Sequence, residues 1–405
     1  MLSVKNSANK LAQCLPFATL DRDLKIIFVS NLLAAFGDGF VVYLLPLFIR
    51  DLPATPENVG LLYSLSTLAA ALTLIPGGFL ADRFDRKKIL LLNWLFWIPI
   101  PVSFFFASHW TQLIIPMSVY GITLSAAASS AYILRHAKEG KMSSAFTTLG
   151  AAYSLGYIFS PLMAGVLVST FDVRATFIFT AVFYSLAALS LIPISSQHPT
   201  KTESTDSSQM QLTSPSERPN LRKLVPVAVL FGIMMFTFSL ISVLVPQFLK
   251  DVNQYDYNSV LTLGSVFYTG AFFLAFLVGR IGDRYGKSSA VSFSMLVLAL
   301  GLAVFIGFGS FEFQAISAFL RGASFPMWAY IGVMAGSIAP ISQQAKWISV
   351  VQWATRVAGI PAAFVGGLLY EMSSTTPFIV CIVVTLALSV LVNLKLFRNK
   401  KSSSL

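Results

Sequence analysis

The chain has 405 residues, of which 56% are hydrophobic and 11% charged. Soluble globular proteins carry about 25% charged residues, so a soluble domain, or a string of them, is excluded. The formal net charge is +11, but the Lys and Arg residues fall in short segments between long apolar runs, which points to membrane topology rather than nucleic acid.

Residues 1–23 are mixed polar and lack the short apolar core and small-residue cleavage site of a signal peptide. The first apolar run is therefore expected to be retained. A bilayer-spanning helix needs about 20 mostly apolar residues. Runs of that kind are read at 24–48, 59–80, 89–107, 112–134, 145–169, 175–194, 224–249, 258–280, 289–308, 313–336, 347–370 and 376–396. Backbone groups in lipid must be satisfied within the segment, so each run reads as a helix. The alternating ten-residue segments that a barrel requires are missing. The predicted fold class is an all-α integral membrane protein with twelve transmembrane helices in two pseudo-symmetric six-helix halves. Between the sixth and seventh runs, Ser195 to Asn220 is rich in Ser, Thr, Gln and Pro and reads as a flexible linker. The chain divides accordingly into an N-terminal half 1–194, a linker 195–223 and a C-terminal half 224–405.

With the amino terminus in the cytoplasm, only Arg50, Arg174 and Lys250 of the 28 Lys and Arg residues fall in outer loops. Arg321 and Arg356 fall within spans, and all the others face the cytoplasm. The positive-inside bias thus places both termini in the cytoplasm of a cell-membrane protein. Cys14 and Cys381 lie far apart, in a polar segment and an apolar run, and make neither a disulfide framework nor a metal cluster.

The halves repeat one another at a nearly constant offset. Leu45-Pro46-Leu47-Phe48-Ile49-Arg50-Asp51 answers Val245-Pro246-Gln247-Phe248-Leu249-Lys250-Asp251. Asp82-Arg83-Phe84 answers Asp283-Arg284-Tyr285, Pro161 answers Pro361, and Gly121 answers Gly322. Duplicated membrane units place a substrate path at their interface, near mid-membrane.

One segment makes a specific resemblance. Gly78-Phe79-Leu80-Ala81-Asp82-Arg83-Phe84-Asp85-Arg86-Lys87-Lys88 resembles the loop between helices 2 and 3 of the major facilitator superfamily, G-x-L-a-D-r-x-G-r-k. A weaker copy runs from Gly279 to Lys287. The first copy departs at Asp85, where the family has glycine; the second keeps Gly286. The resemblance implies the major facilitator fold, and for Gly78, Asp82, Arg83, Arg86, Lys87, Asp283 and Arg284 a gating latch on the cytoplasmic side. Physically, the acids can accept charge-assisted hydrogen bonds and the basic groups can pair with acids or lipid phosphates. The competing reading is a topogenic basic loop without a gating role. Gly150, Gly156, Pro161 and Gly165 in the fifth run resemble the glycine- and proline-rich helix of the antiporter branch, and equally fit ordinary helix packing.

Three charged side chains fall deep within spans: Asp38, Arg356 and Arg321, the last about 6 Å to the outer side of centre at helical rise. A charge there faces a cavity or a partner. For Asp38 the two readings are substrate or proton handling and a fixed ion pair with one of the arginines. The resemblance implies that helices 1, 4, 7 and 10 line the central cavity, and polar stripes agree with it. Asn31 and Asp38 share one face, Ser118, Ser125, Ser129 and Tyr132 a second, and Ser317, Arg321, Ser324 and Trp328 a third. Helix–helix hydrogen bonding would account for the same stripes. Asn31, Asp38, Tyr132, Arg321, Trp328 and Arg356 are the candidates for substrate or proton binding. Many proton-coupled efflux members of the family carry an arginine in the fourth helix, where this chain has Met117, a departure that counts against a direct assignment of proton antiport from the resemblance.

The expected function is ion-coupled efflux of a small organic or amphipathic compound by alternating access. The alternatives are uptake of a small anionic metabolite and a non-transporting membrane receptor. No Walker-type glycine loop is present, and His109, His136 and His198 are dispersed, so neither ATP-driven pumping nor catalysis is expected. The expected partners are a small-molecule substrate, a coupling proton and the lipid bilayer, with no cofactor, no metal and no nucleic acid, on a monomeric chain.

Overall fold

The computed structural model describes residues 20–136, 142–198, 221–338 and 344–393, and every regular element among them is helical. The remaining residues, with most of the expected linker, Cys14 and both tails, lie outside the described set. Ten helical runs are long and apolar enough to cross a membrane, and Thr376–Val392 is a shorter apolar helix.

In chain order the first half comprises α1 (Arg22–Val41), α2 (Leu44–Asp51), α3 (Pro56–Arg83), α4 (Arg86–Trp97), α5 (Pro99–Phe106), α6 (Ile114–Tyr120), α7 (Ser125–His136), α8 (Met142–Thr170) and α9 (Val173–Leu191). The second comprises α10 (Leu221–Ser242), α11 (Leu244–Asp251), α12 (Tyr257–Tyr285), α13 (Lys287–Gly307), α14 (Phe311–Arg321), α15 (Met327–Ile338), α16 (Gln344–Gly359), α17 (Ala362–Met372) and α18 (Thr376–Val392). Helix starts follow local chemistry. Thr55 caps α3 ahead of Pro56, Asp172 caps α9 and Asp256 caps α12 by accepting from the Ser259 N–H at 3.0 Å, each satisfying an orphan donor.

Several runs read as continuous are broken. Pro46 and Pro246 have no N–H, so the carbonyls four residues earlier lose a partner, and the chain turns between α1 and α2 and between α10 and α11 at equivalent places. The fourth run breaks between α6 and α7. Its freed backbone groups are taken up by side chains: Trp97 donates to the Ile122 carbonyl at 2.9 Å, and Thr73 accepts from the Thr123 N–H at 3.2 Å. Glycine is required at the two related breaks. A Cβ on Gly121 would collide with the Ser66 carbonyl of α3, and one on Gly322 with the Ala271 backbone nitrogen of α12.

Among the described residues the halves share a common core at one end only. Near α2 and α11, buried apolar side chains from both halves, among them Phe48, Leu244, Phe248 and Leu261, form a single cluster. Toward the end that carries Arg83 and Arg284 the cores separate, one around Leu24, Tyr132 and Leu149 and one around Phe231, Met295 and Ile331. Between the separated parts lies a cavity of about 590 Å³, lined by Ile75 and Gly78 of α3, Ala127 of α7 and Trp353 of α16. Around the outside, large apolar side chains such as Leu72, Phe106, Ile115, Val166, Phe276 and Val390 are exposed, as a bilayer requires.

Candidate functional site

Asp38 lies on α1 with 7% of its surface exposed. Three tyrosine hydroxyls from three other helices donate to it. Tyr184 of α9 and Tyr120 of α6 reach Oδ1, the latter at 3.3 Å, and Tyr157 of α8 reaches Oδ2 at 3.1 Å. The rings are held in turn by Trp97, whose centroid lies 5.5 Å from Tyr120 and 5.9 Å from Tyr184. Among the described residues Asp38 has no basic partner, so neither Arg321 nor Arg356 is its counter-ion in this conformation. A cavity of about 300 Å³ runs from Asp38 past Asn31, Ser125 and Ser129, which brings two of the sequence-derived stripes together.

Arg321 lies elsewhere, at the end of α14, with 4% of its surface exposed. Its Nε donates to Ser317 Oγ at 3.2 Å, and its guanidinium carbon sits 4.6 Å from the centroid of Phe305. It lines a second cavity, of about 280 Å³, together with Trp328, Phe325 and Tyr268 and with Tyr43 from the first half. One stacked pair of rings lies between the two sites. The Tyr157 ring lies 4.7 Å from the Tyr268 ring at 15°, so the hydroxyl that touches Asp38 belongs to a ring packed on the wall of the Arg321 cavity. Arg356 is half-buried on α16.

Tyr132 does not join either cavity. It is fully buried, and its hydroxyl donates toward Asp23 Oδ2 at 2.7 Å and toward the Ser195 carbonyl at 2.9 Å, while His136 stacks on its ring at 4.4 Å. Of the loop residues, Gly78 lines the open wedge, and Asp82, Arg83, Asp283 and Arg284 are exposed. The Arg86 N–H donates to the Gln197 carbonyl at 3.0 Å. Asp85, which replaces the family glycine, is buried and accepts from the N–H groups of Lys87 and Gln197, each at 3.0 Å. Burial alone would raise the Asp85 carboxyl, but these N–H donors, the Ser196 hydroxyl and the nearby His198 outweigh it and hold it below the usual range.

At the closed end the repeat produces a crossed arrangement that the sequence alone does not spell out. Lys250 Nζ lies 2.9 Å from Asp51, and Arg50 lies 3.6 Å from Asp251. Tyr257 donates to Asp51, and Tyr370 donates to Asp251 at 3.2 Å. The tyrosines around Asp38 were also missed. Their one sequence signal is a polar hydroxyl inside an apolar run, which needs an acceptor but does not name it.

Two helical halves closed at one end, with a caged acid and a buried guanidinium on facing cavities, define a multi-pass membrane transporter. The sequence profile described as Major Facilitator Superfamily matches residues 27–239 and again 227–405, so the chain belongs to that superfamily. It is 23% identical over 378 residues to Multidrug resistance protein 2 of Bacillus subtilis (strain 168), covering 87% of this chain and 90% of that one. It is 24% identical over 327 residues to the class B tetracycline resistance protein of Escherichia coli, covering 78% and 80%. These similarities lie on the drug-efflux branch. Among solved structures, the nucleoside transporter NupG superposes with a TM-score of 0.74 at 12% identity, over 94% of this chain and 100% of that one. A bacterial homolog to the human lysosomal transporter Spinster, in an inward-facing and occupied conformation, gives 0.73 at 14% identity, over 91% and 96%. At such identities the structures establish the fold alone.

Proposed function

We propose that this transporter works by alternating access as a proton-coupled exporter of small organic or amphipathic compounds, in a cell membrane, with both termini cytoplasmic. The observation that carries the reading is the caged Asp38. A carboxylate without a counter-ion is costly inside a membrane, and three hydroxyls that can donate to it make its charged form tolerable. A proton arriving through the Asn31 cavity neutralises it, so the group can exist in two charge states during a cycle. The multidrug and tetracycline resistance relatives support export as the direction.

The halves 1–194 and 224–405, joined by 195–223, are the rocking units in this reading. The end bearing Arg83 and Arg284 faces the cytoplasm, so the conformation is open inward. The loop residues Asp82, Arg83, Arg86, Lys87, Asp283 and Arg284 then act as a latch when that end closes, which accounts for the exposure of Asp82 and Asp283 in the open state. The protein acts as a monomer. A second reading, uptake of a small anionic metabolite, is favoured by the buried guanidinium of Arg321.

The deciding experiment uses inside-out vesicles with tetracycline and an imposed pH gradient. Wild-type protein is expected to accumulate the compound when the vesicle interior is acid. Asp38→Asn is expected to lose that accumulation while inserting normally and still exchanging substrate without a gradient. Accumulation by the variant with unchanged pH dependence would remove Asp38 from the mechanism, and accumulation only under the opposite gradient would replace export by uptake.

A further inference from the structure

The Arg321 cavity carries an inference about substrate chemistry, one that rests on the transport reading above. A guanidinium stays protonated in proteins, so burial cannot neutralise Arg321. A buried cation ordinarily has an acid beside it. Among the described residues Arg321 has none: its Nε bonds Ser317, one face lies on Phe305, and no hydrogen bond or ion pair joins its terminal nitrogens to a described residue. Arg321 lines a cavity of about 280 Å³, at the small end of the range that organic ligands occupy. The rest of the cavity wall mixes aliphatic side chains and the serines Ser239, Ser242 and Ser324 with aromatic rings. Trp328 stands 45% exposed, Phe325 is exposed beside it, and Tyr268 closes the side toward the first half. The acid nearest in function, Asp38, is fully engaged by tyrosines on the other side of the Tyr157–Tyr268 stack.

We propose that this cavity binds an amphipathic organic anion, with a carboxylate or similar oxyanion on the terminal nitrogens of Arg321 and an aromatic body against Trp328, Phe325 and Tyr268. The planar fork of an arginine matches a carboxylate with two parallel hydrogen bonds. The ligand would supply the counter-charge that the protein does not. Tyr268 then touches the ligand on one side and Tyr157 on the other, which gives occupancy of the cavity a direct physical contact with a hydroxyl bound to Asp38.

The test is equilibrium binding to the full-length protein in phosphatidylcholine nanodiscs with three probes of one shape: 2-naphthoate, neutral 2-naphthamide and 2-naphthylmethylammonium. The naphthoate is expected to bind roughly tenfold or more tightly than the amide, the size of one charge-assisted contact, and the ammonium most weakly. Arg321→Gln is expected to erase the preference and Arg321→Lys to keep part of it. Equal binding of naphthoate and amide, tightest binding of the ammonium, or a preference that survives in Arg321→Gln each overturns the proposal. The wild-type comparison decides even if the Gln variant does not fold. A lipid headgroup is the other source of an oxyanion, so the measurement is repeated with phosphatidylglycerol in the discs, and loss of naphthoate binding there would reassign the cavity to lipid. Tetracycline transport in the vesicle assay with no charge preference in binding would sink this inference and leave the transport reading standing. Naphthoate preference in a protein that moves no solute would do the reverse.

Discussion

At Asp38 the arithmetic of a charged hydrogen bond decides what a single hydroxyl is worth. Each bond to a charged group contributes about 1.5–3 kcal/mol, and Tyr184, Tyr157 and Tyr120 supply three donors from three helices. Tyr184→Phe keeps the ring, which packs against Trp94 and Trp97, and removes only the donor. It is expected to insert normally and to lower gradient-driven accumulation about tenfold or more, while exchange without a gradient persists. The pair of vesicle assays described for Asp38 measures both, and equal loss in the two would make the hydroxyl a packing element. Asp38 was legible in the sequence because an acid deep in an apolar run has few explanations. Its tyrosines were not, because a contact between the first run and the fourth, fifth and sixth has no spacing along the chain. Tyr132 shows the same limit from the other side. It shares α7 and a helical face with Ser125 and Ser129, but it stands further along the helix, outside the cavity that those serines line, and its hydroxyl ends on Asp23.

Helices in this chain are interrupted where the sequence shows only apolarity. Hydrophobic patterning located the apolar runs well, because lipid exposure demands it. It could not show the turn after Gly121, because the side chains that stabilise that turn, Trp97 and Thr73, come from other runs. The Gly121–Gly322 match was visible as a repeat, and the structure supplies its reason: both let a neighbouring helix approach to backbone contact. Gly121→Val is therefore expected to force α3 and α6 apart and to destabilise by about 1–3 kcal/mol, read as a lowered Tm in detergent. An unchanged Tm would show that α3 yields freely. A second element-scale device is Asp85, which holds the segment after α9 through the Gln197 N–H while capping α4. Because its folded carboxyl is held below the ordinary value of about 4, its contribution is full above that pH and is lost as pH falls through the lowered value. Wild-type protein is expected to be more stable than Asp85→Asn by about 1–2 kcal/mol at pH 7. The gap should narrow as pH falls below the ordinary carboxylate value, as thermal unfolding followed downward from pH 7 would show; a gap independent of pH would exclude the carboxylate as its source.

Across the whole molecule the question is which end is held. The crossed pairs Lys250–Asp51 and Arg50–Asp251 are partly exposed, and exposed pairs contribute only about 0.2–1 kcal/mol each. That weakness suits a contact that parts in the proposed cycle, since about 1.4 kcal/mol already changes a two-state population tenfold. Lys250→Ala with Arg50→Ala is expected to shift the population several-fold toward opening at this end. Spin labels at Pro53 and Gln254 would report the change as a longer distance. Exchanging Asp51 and Lys250 (Asp51→Lys with Lys250→Asp) would put two cations side by side in the first half and two anions in the second while keeping the attraction across the contact, and so tests whether one charge of each sign per half matters. An unaltered distance distribution in the double alanine variant would reduce the pairs to surface decoration. The repeat that places these residues was plain in the sequence, whereas their crossed pairing required knowing that the duplicated units face each other.

That crossed arrangement also has an electrical consequence. Each half brings one cation and one anion to the contact, Arg50 with Asp51 and Lys250 with Asp251. When the halves part, each carries no net charge from these residues. A unit charge crossing the membrane exchanges about 2.3 kcal/mol per 100 mV with the field, but a neutral pair moving together exchanges almost nothing. Membrane voltage therefore has little grip on this contact, and in the proposed cycle a voltage dependence of turnover is expected to arise at Asp38 and Arg321 instead.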